Sequence, residues 1–254
     1  MNTADTLGSI AWTVRTGGRL DAAERRRLIA DLVGVHARNT TGRLSMLLQL
    51  HSGRHARVSP ERLLVPDSAL TRAAQDAAAR HLPATLLNHS HRTYLFGMAL
   101  AELERLEVDA EVLFAAAMLH DTGLVLSRGH DDFTLASARL ADEVAEQVGL
   151  STAATETLQT AITMHHSPRV PLAAGAVPYL LAAGAGVDVV GLRSWELPGI
   201  TLAQAVREHR REGFKGYFAQ AWQQEAARVP LGRARLLRRY GAFTAAIRLA
   251  PFAE

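Results

Sequence analysis

The chain has 254 residues, 48% hydrophobic, 21% charged and only 6% aromatic. That length suits one large domain. An apolar content carried mostly by alanine and leucine favours packed helices over a β-sandwich, and no apolar run approaches the ~20 residues of a membrane span. The absence of cysteine excludes disulfides, thiolate metal sites and cysteine nucleophiles, so metal binding or catalysis must use His, Asp, Glu or hydroxyls.

The first twenty residues show no basic region followed by an apolar one, so the expected setting is the cytoplasm. Residues 21–37 open with Asp21 as a candidate N-cap for an amphipathic helix. Residues 58–67 contain Pro60 and Pro66 and read as an irregular connection, and an alanine-rich helix over 68–82 stops before Pro83. The pattern predicts a longer helix over about 85–106. Residues 108–120 are apolar nearly all round, as a central buried helix should be, with Gly123 as its stop. Helices are expected over 132–148, over 151–165 with Ser151 as N-cap, over 177–190, and then over 201–211, 214–228 and 231–247. Nothing alternates with period two long enough to predict a sheet.

Net charge is +3, and the segment from Val206 onward has ten basic against four acidic residues. Arginines there, including Arg233, Arg235, Arg238 and Arg239, are read as solvated helix faces rather than a nucleic-acid surface. Tyr217, Phe218 and Trp222 fall near helical spacing and are read as core. Of the eleven histidines, seven lie between His81 and His166.

His120 and Asp121 stand side by side at the end of the expected central helix. Adjacent helical residues diverge by about 100°, so both can face one ion only where the helix ends and the backbone turns. Upstream, His89 and Arg92 are three apart and share a helix face, whereas His91 points away from His89. Downstream, His165 and His166 close another helix. Asp188 is the only acid in LLAAGAGVDVVGL, and a carboxylate there is costly unless paired or coordinating.

The order His89, His120-Asp121, Asp188 resembles the H…HD…D pattern of the HD superfamily of metal-dependent phosphohydrolases. The wording NHSHRTYLFG, MLHDTGL and AITMHH is similar to its cyanamide hydratase-like branch. The resemblance spans about residues 82–193. It implies an all-α HD-domain helical bundle, with residues 1–254 forming one domain and helices from 1–81 and 201–250 packed on the core. It further implies one divalent metal held by His89, His120, Asp121 and Asp188. Ligands without sulfur suit Zn²⁺ first, with Mn²⁺, Fe²⁺, Co²⁺ or Ni²⁺ as alternatives.

Such a metal activates a water for hydrolysis or hydration, with Asp121 binding the ion and orienting that water. His165 then serves as a general acid or a stabiliser of developing charge. Arg92 either clamps a substrate oxyanion or bridges to Asp121 or another acid. A lysine that many of these phosphohydrolases carry after the HD pair is replaced here by Leu124. That weakens the case for a phosphoester or nucleotide and favours a cyanamide- or nitrile-like compound.

Two alternatives accompany this reading. One is a di-iron oxygenase, whose second metal would be held by His165 or His166 with His130. The other is a non-catalytic sensor of a nucleotide or metal. The expected partner is a small-molecule substrate, with homo-oligomerisation left open and no membrane or nucleic-acid role assigned.

Overall fold

The computed structural model describes residues 6–254. Helix α1 (Ile10–Thr16) is capped by Ser9 and ended by Gly17 in a left-handed conformation. Its single pair of turns is too short to show periodicity in the sequence. Helix α2 (Ala22–Leu47) starts at the capping box of Asp21 and Glu24. It runs well past the expected end at residue 37, through the weak helix formers Asn39, Thr40 and Thr41. Packing of Trp195 against Gly42 carries it through.

The core helices follow. Helix α3 (Ala69–His81) begins at a Ser68–Thr71 capping box, and α4 (Ala84–Glu104) begins at Pro83. Helix α5 (Ala110–Leu119) is capped by Asp109, and a single turn α6 (Gly123–Leu126) follows it. Helix α7 (Phe133–Val148) is capped by Asp132 and ended by Gly149. Helix α8 (Thr152–Met164) has the expected Ser151 cap, and α9 (Ala176–Val190) ends at Gly191.

The C-terminal helices are α10 (Gly199–Glu208), α11 (Phe214–Arg228), α12 (Arg233–Tyr240) and α13 (Phe243–Arg248). The single helix expected over 231–247 is therefore two, broken where Ala242 adopts φ 47°. Among the described residues there is no strand, only an isolated bridge between Arg19 and Gly232. Likewise no helix is long and apolar enough to cross a membrane.

Helix α5 is the hub. Every residue from Val112 to Leu119 is buried, and the helix touches α3, α4, α7, α8 and α9. Burial of an all-round apolar helix is the main driving force for this arrangement. The tightest approach is between α4 and α9. Gly184 lies against the backbone of Thr93 and Gly97, where any Cβ would overlap the Thr93 carbonyl oxygen. That backbone-to-backbone contact fixes the height of His89 and Arg92 relative to Asp188. Helix α1 packs on α7 and α8, α13 lies on α9 and α11, and α12 reaches α2, so both flanking regions close over the core.

Candidate metal centre

Asp121 sits in the turn that leaves α5, 1% exposed, and three imidazoles point at its carboxylate. The Nε2 atoms of His89 and His120 lie 3.4 and 3.3 Å from Oδ2, and His165 Nε2 lies 3.5 Å from Oδ1. The three rings are fixed from behind through Nδ1. His120 Nδ1 donates to the Ala117 carbonyl at 2.7 Å, and His165 Nδ1 to the Ile162 carbonyl at 2.7 Å. His89 Nδ1 donates to Asp188 Oδ2 at 2.7 Å. A carbonyl or carboxylate can only accept, so each Nδ1 holds the proton and each Nε2 is presented forward. Neither oxygen of Asp121 has a hydrogen-bond partner in the protein.

Burial alone would raise the Asp121 carboxyl, but the facing imidazoles of His120, His165 and His89 outweigh it and hold it well below the usual carboxylate range. Burial likewise pulls His89 down, yet Asp121 and Asp188 on either side leave it raised overall. His120 is lowered, because burial there exceeds the pull of Asp121.

The turn carrying His120 and Asp121 is held by Ser137 of α7. Its hydroxyl donates to the His120 carbonyl and accepts from the Gly123 amide, both at 2.8 Å. Gly123 is needed for close approach, not as the left-handed stop the sequence suggested. It begins α6 with its Cα against the Phe133 carbonyl oxygen, where a Cβ would overlap.

Asp188 is not among the groups facing Asp121. His89, His120 and Asp121 have ligand atoms within 4.8 Å of one another, whereas Asp188 lies on the far side of the His89 ring. Arg92 grips it bidentately, at 2.7 Å through Nε and 2.8 Å through Nη2. Arg211 binds it as well, and all of these side chains are fully buried. The two guanidiniums overcome burial and hold the Asp188 carboxyl well below its ordinary value. Of the two sequence readings of Arg92, the structure therefore shows the bridge to another acid. Arg92 also donates to the His209 and Arg210 carbonyls, and it does not line the cavity that reaches the centre.

The second histidine pair divides. His165 belongs to the centre, while His166 Nε2 faces Asp132 Oδ2 at 3.3 Å. Burial and the neighbouring Arg233 push His166 down to about 4. Arg233 is fully buried, pairs with Asp132 at 3.2 Å and lies over the Trp12 ring, contrary to the solvated face expected for it. Arg235 and Arg239 are exposed as expected. His130 is exposed on the loop before α7, where the turn at Gly129 carries it outward, and it does not line the cavity next to the centre. His91 stacks on His209 at 4.3 Å and is not among the imidazoles facing Asp121.

A cavity of about 730 Å³ reaches the centre, lined by His89, His120, Asp121, His165 and His166 at its inner end. Phe218 and Trp222, read from sequence as core, are buried and also form part of its wall. Sequence reasoning missed Arg211, Ser137 and Asp132. The lone acid Asp188 did signal that a buried cation was needed, but nothing marked which arginine would supply it.

The model of the HD domain family matches residues 86–184. The matched stretch runs from α4 into α9, and the all-helical bundle agrees with such a domain. His89 and the His120-Asp121 pair fall inside the matched stretch, and Asp188 falls just beyond it. No curated protein matches the chain.

Proposed function

We propose that this chain is a metal-dependent hydrolase or hydratase acting on a small molecule in the cavity above Asp121. One observation carries the reading: a fully buried carboxylate without a hydrogen-bond partner, faced by three imidazole nitrogens whose Nδ1 atoms are already anchored. Buried polar atoms are ordinarily satisfied, and a cation is the group that satisfies all four at once.

His89, His120 and Asp121 are the proposed ligands, with His165 Nε2 the nearest further donor. A nitrogen and carboxylate set without sulfur suits Zn²⁺ first, then Mn²⁺, Fe²⁺, Co²⁺ or Ni²⁺. When bound, such an ion supplies Lewis acidity and lowers the pKa of a water toward neutrality. The residues do the rest. Asp188 fixes the His89 ring and its tautomer, as a carboxylate behind a metal-binding histidine does. His165, anchored on Ile162, presents Nε2 to take or return a proton beside Asp121 Oδ1. For Asp188 to act as a ligand itself, as the family pattern implies, it would have to surrender Arg92 and Arg211.

Metal analysis of protein purified without added metal is the test. About one divalent ion per chain is expected, together with its loss and loss of turnover in Asp121→Ala. Two irons per chain with a visible charge-transfer band would overturn the reading in favour of oxygenation, and turnover surviving in Asp121→Ala would overturn it altogether.

A further inference from the structure

The reactive centre occupies one end of a cavity far larger than itself. At about 730 Å³ it is in the range of sites for drug-sized ligands, and a molecule of cyanamide's size would leave most of it empty. The room comes from α9, which turns the small residues Ala182, Ala183 and Gly186 toward the cavity at helical spacing. Phe218 and Trp222 of α11 and Phe243 of α13 add aromatic walls. The indole N–H of Trp222 has no acceptor in the protein, though a buried tryptophan ordinarily finds one.

The cations are disposed against a phosphate at the centre. The buried guanidiniums behind His89, Arg92 and Arg211, are committed to Asp188 and do not line the cavity. Two arginines that do line it are also engaged: Arg193 binds Glu104 and Glu196, and Arg38 binds Glu196. Arg169 is left, and it is exposed to solvent. Phosphoryl groups are ordinarily gripped by arginine or lysine at the reacting end.

From this we infer that the substrate is an uncharged molecule with a bulky apolar, preferably aromatic, body. It enters with its reactive polar group toward Asp121 and His165, and its body lies between the α9 stripe and the aromatic wall. The inference rests on the function proposed above.

It is tested without turnover, on the metal-stripped full chain, by following Trp222 emission during titration with biphenyl carbonitrile, cyanamide and adenosine monophosphate. The aryl nitrile is expected to bind at least about tenfold more tightly than either of the others. Its emission change should be absent in Trp222→Phe. Gly186→Leu, whose Cβ meets only Leu192 at ordinary contact distance, should weaken the nitrile at least about tenfold while leaving metal content unchanged. Ala183→Leu provides the same obstruction should the first variant fail to fold. Tighter binding of adenosine monophosphate, or nitrile binding indifferent to both obstructing variants, overturns the inference. A chain that binds the nitrile but never a metal would instead sink the proposed function, so the two failures are distinguishable.

Discussion

Asp121 and Asp188 are equally sealed from water, and the same histidine, His89, stands between them. Their surroundings are nevertheless opposite. Asp188 has a complete set of donors from His89, Arg92 and Arg211, and its charge is used to hold α4, α9 and the segment after α10 together. Asp121 has none. Burial alone therefore does not mark the functional acid. The partner inventory does, because a buried charge left open in the native state is a place where a ligand completes the chemistry.

Alanine at the two positions should separate them most sharply. In metal-free protein, Asp188→Ala strands two guanidiniums in the core and should cost about 3–5 kcal/mol of unfolding free energy. Asp121→Ala removes a carboxylate held only by facing imidazoles and strands no cation, so it should cost clearly less than Asp188→Ala. Chemical denaturation of both variants decides the matter, and equal losses would break the distinction.

A gentler change sharpens it further. Asp188→Asn keeps the shape but weakens the grip on His89, so metal affinity measured against a chelating dye should fall about 10–100-fold. Complete loss of metal, as expected for Asp121→Ala, would instead show that Asp188 coordinates directly.

Much of this was legible in the chain, for physical reasons. Residues 108–120 are apolar all round, which only a central helix tolerates, and α5 is that helix. His120 and Asp121 are adjacent where it must end, so their convergence needed only a turn. The pairing of Asp188 with Arg211 could not be read. A basic residue in a polar stretch after α10 looks like any solvated arginine, and only tertiary packing brings it under α9. Arg233 misled in the same way: its neighbours Arg235 and Arg239 are exposed, and their position round the helix, about 200° away for Arg235, decides the difference. The break between α12 and α13 was equally hidden, since Gly241 and Ala242 interrupt an apolar pattern that continues across them.

Glu225 is a further buried acid and extends the comparison to a carboxylate with too few cations. It accepts the Phe133 amide at 3.1 Å and pairs with Arg228, which is itself one-fifth exposed. Burial and the nearby Asp132 outweigh that one partner and push Glu225 up to about 7. Because the folded-state value lies above the ordinary 4.5, the native chain holds more proton than the unfolded chain between those limits. Stability contributed by this group is therefore full below about pH 4.5, declines as pH rises toward 7, and is flat above. Glu225→Gln cannot titrate and keeps an acceptor for the Phe133 amide. Its unfolding free energy, measured from pH 4.5 to 8, should lack the decline of about 3 kcal/mol that the unsubstituted chain shows. Parallel profiles for the two proteins would mean that Arg228 neutralises Glu225 as fully as Arg92 and Arg211 neutralise Asp188, and that one partly exposed cation serves as well as two buried ones.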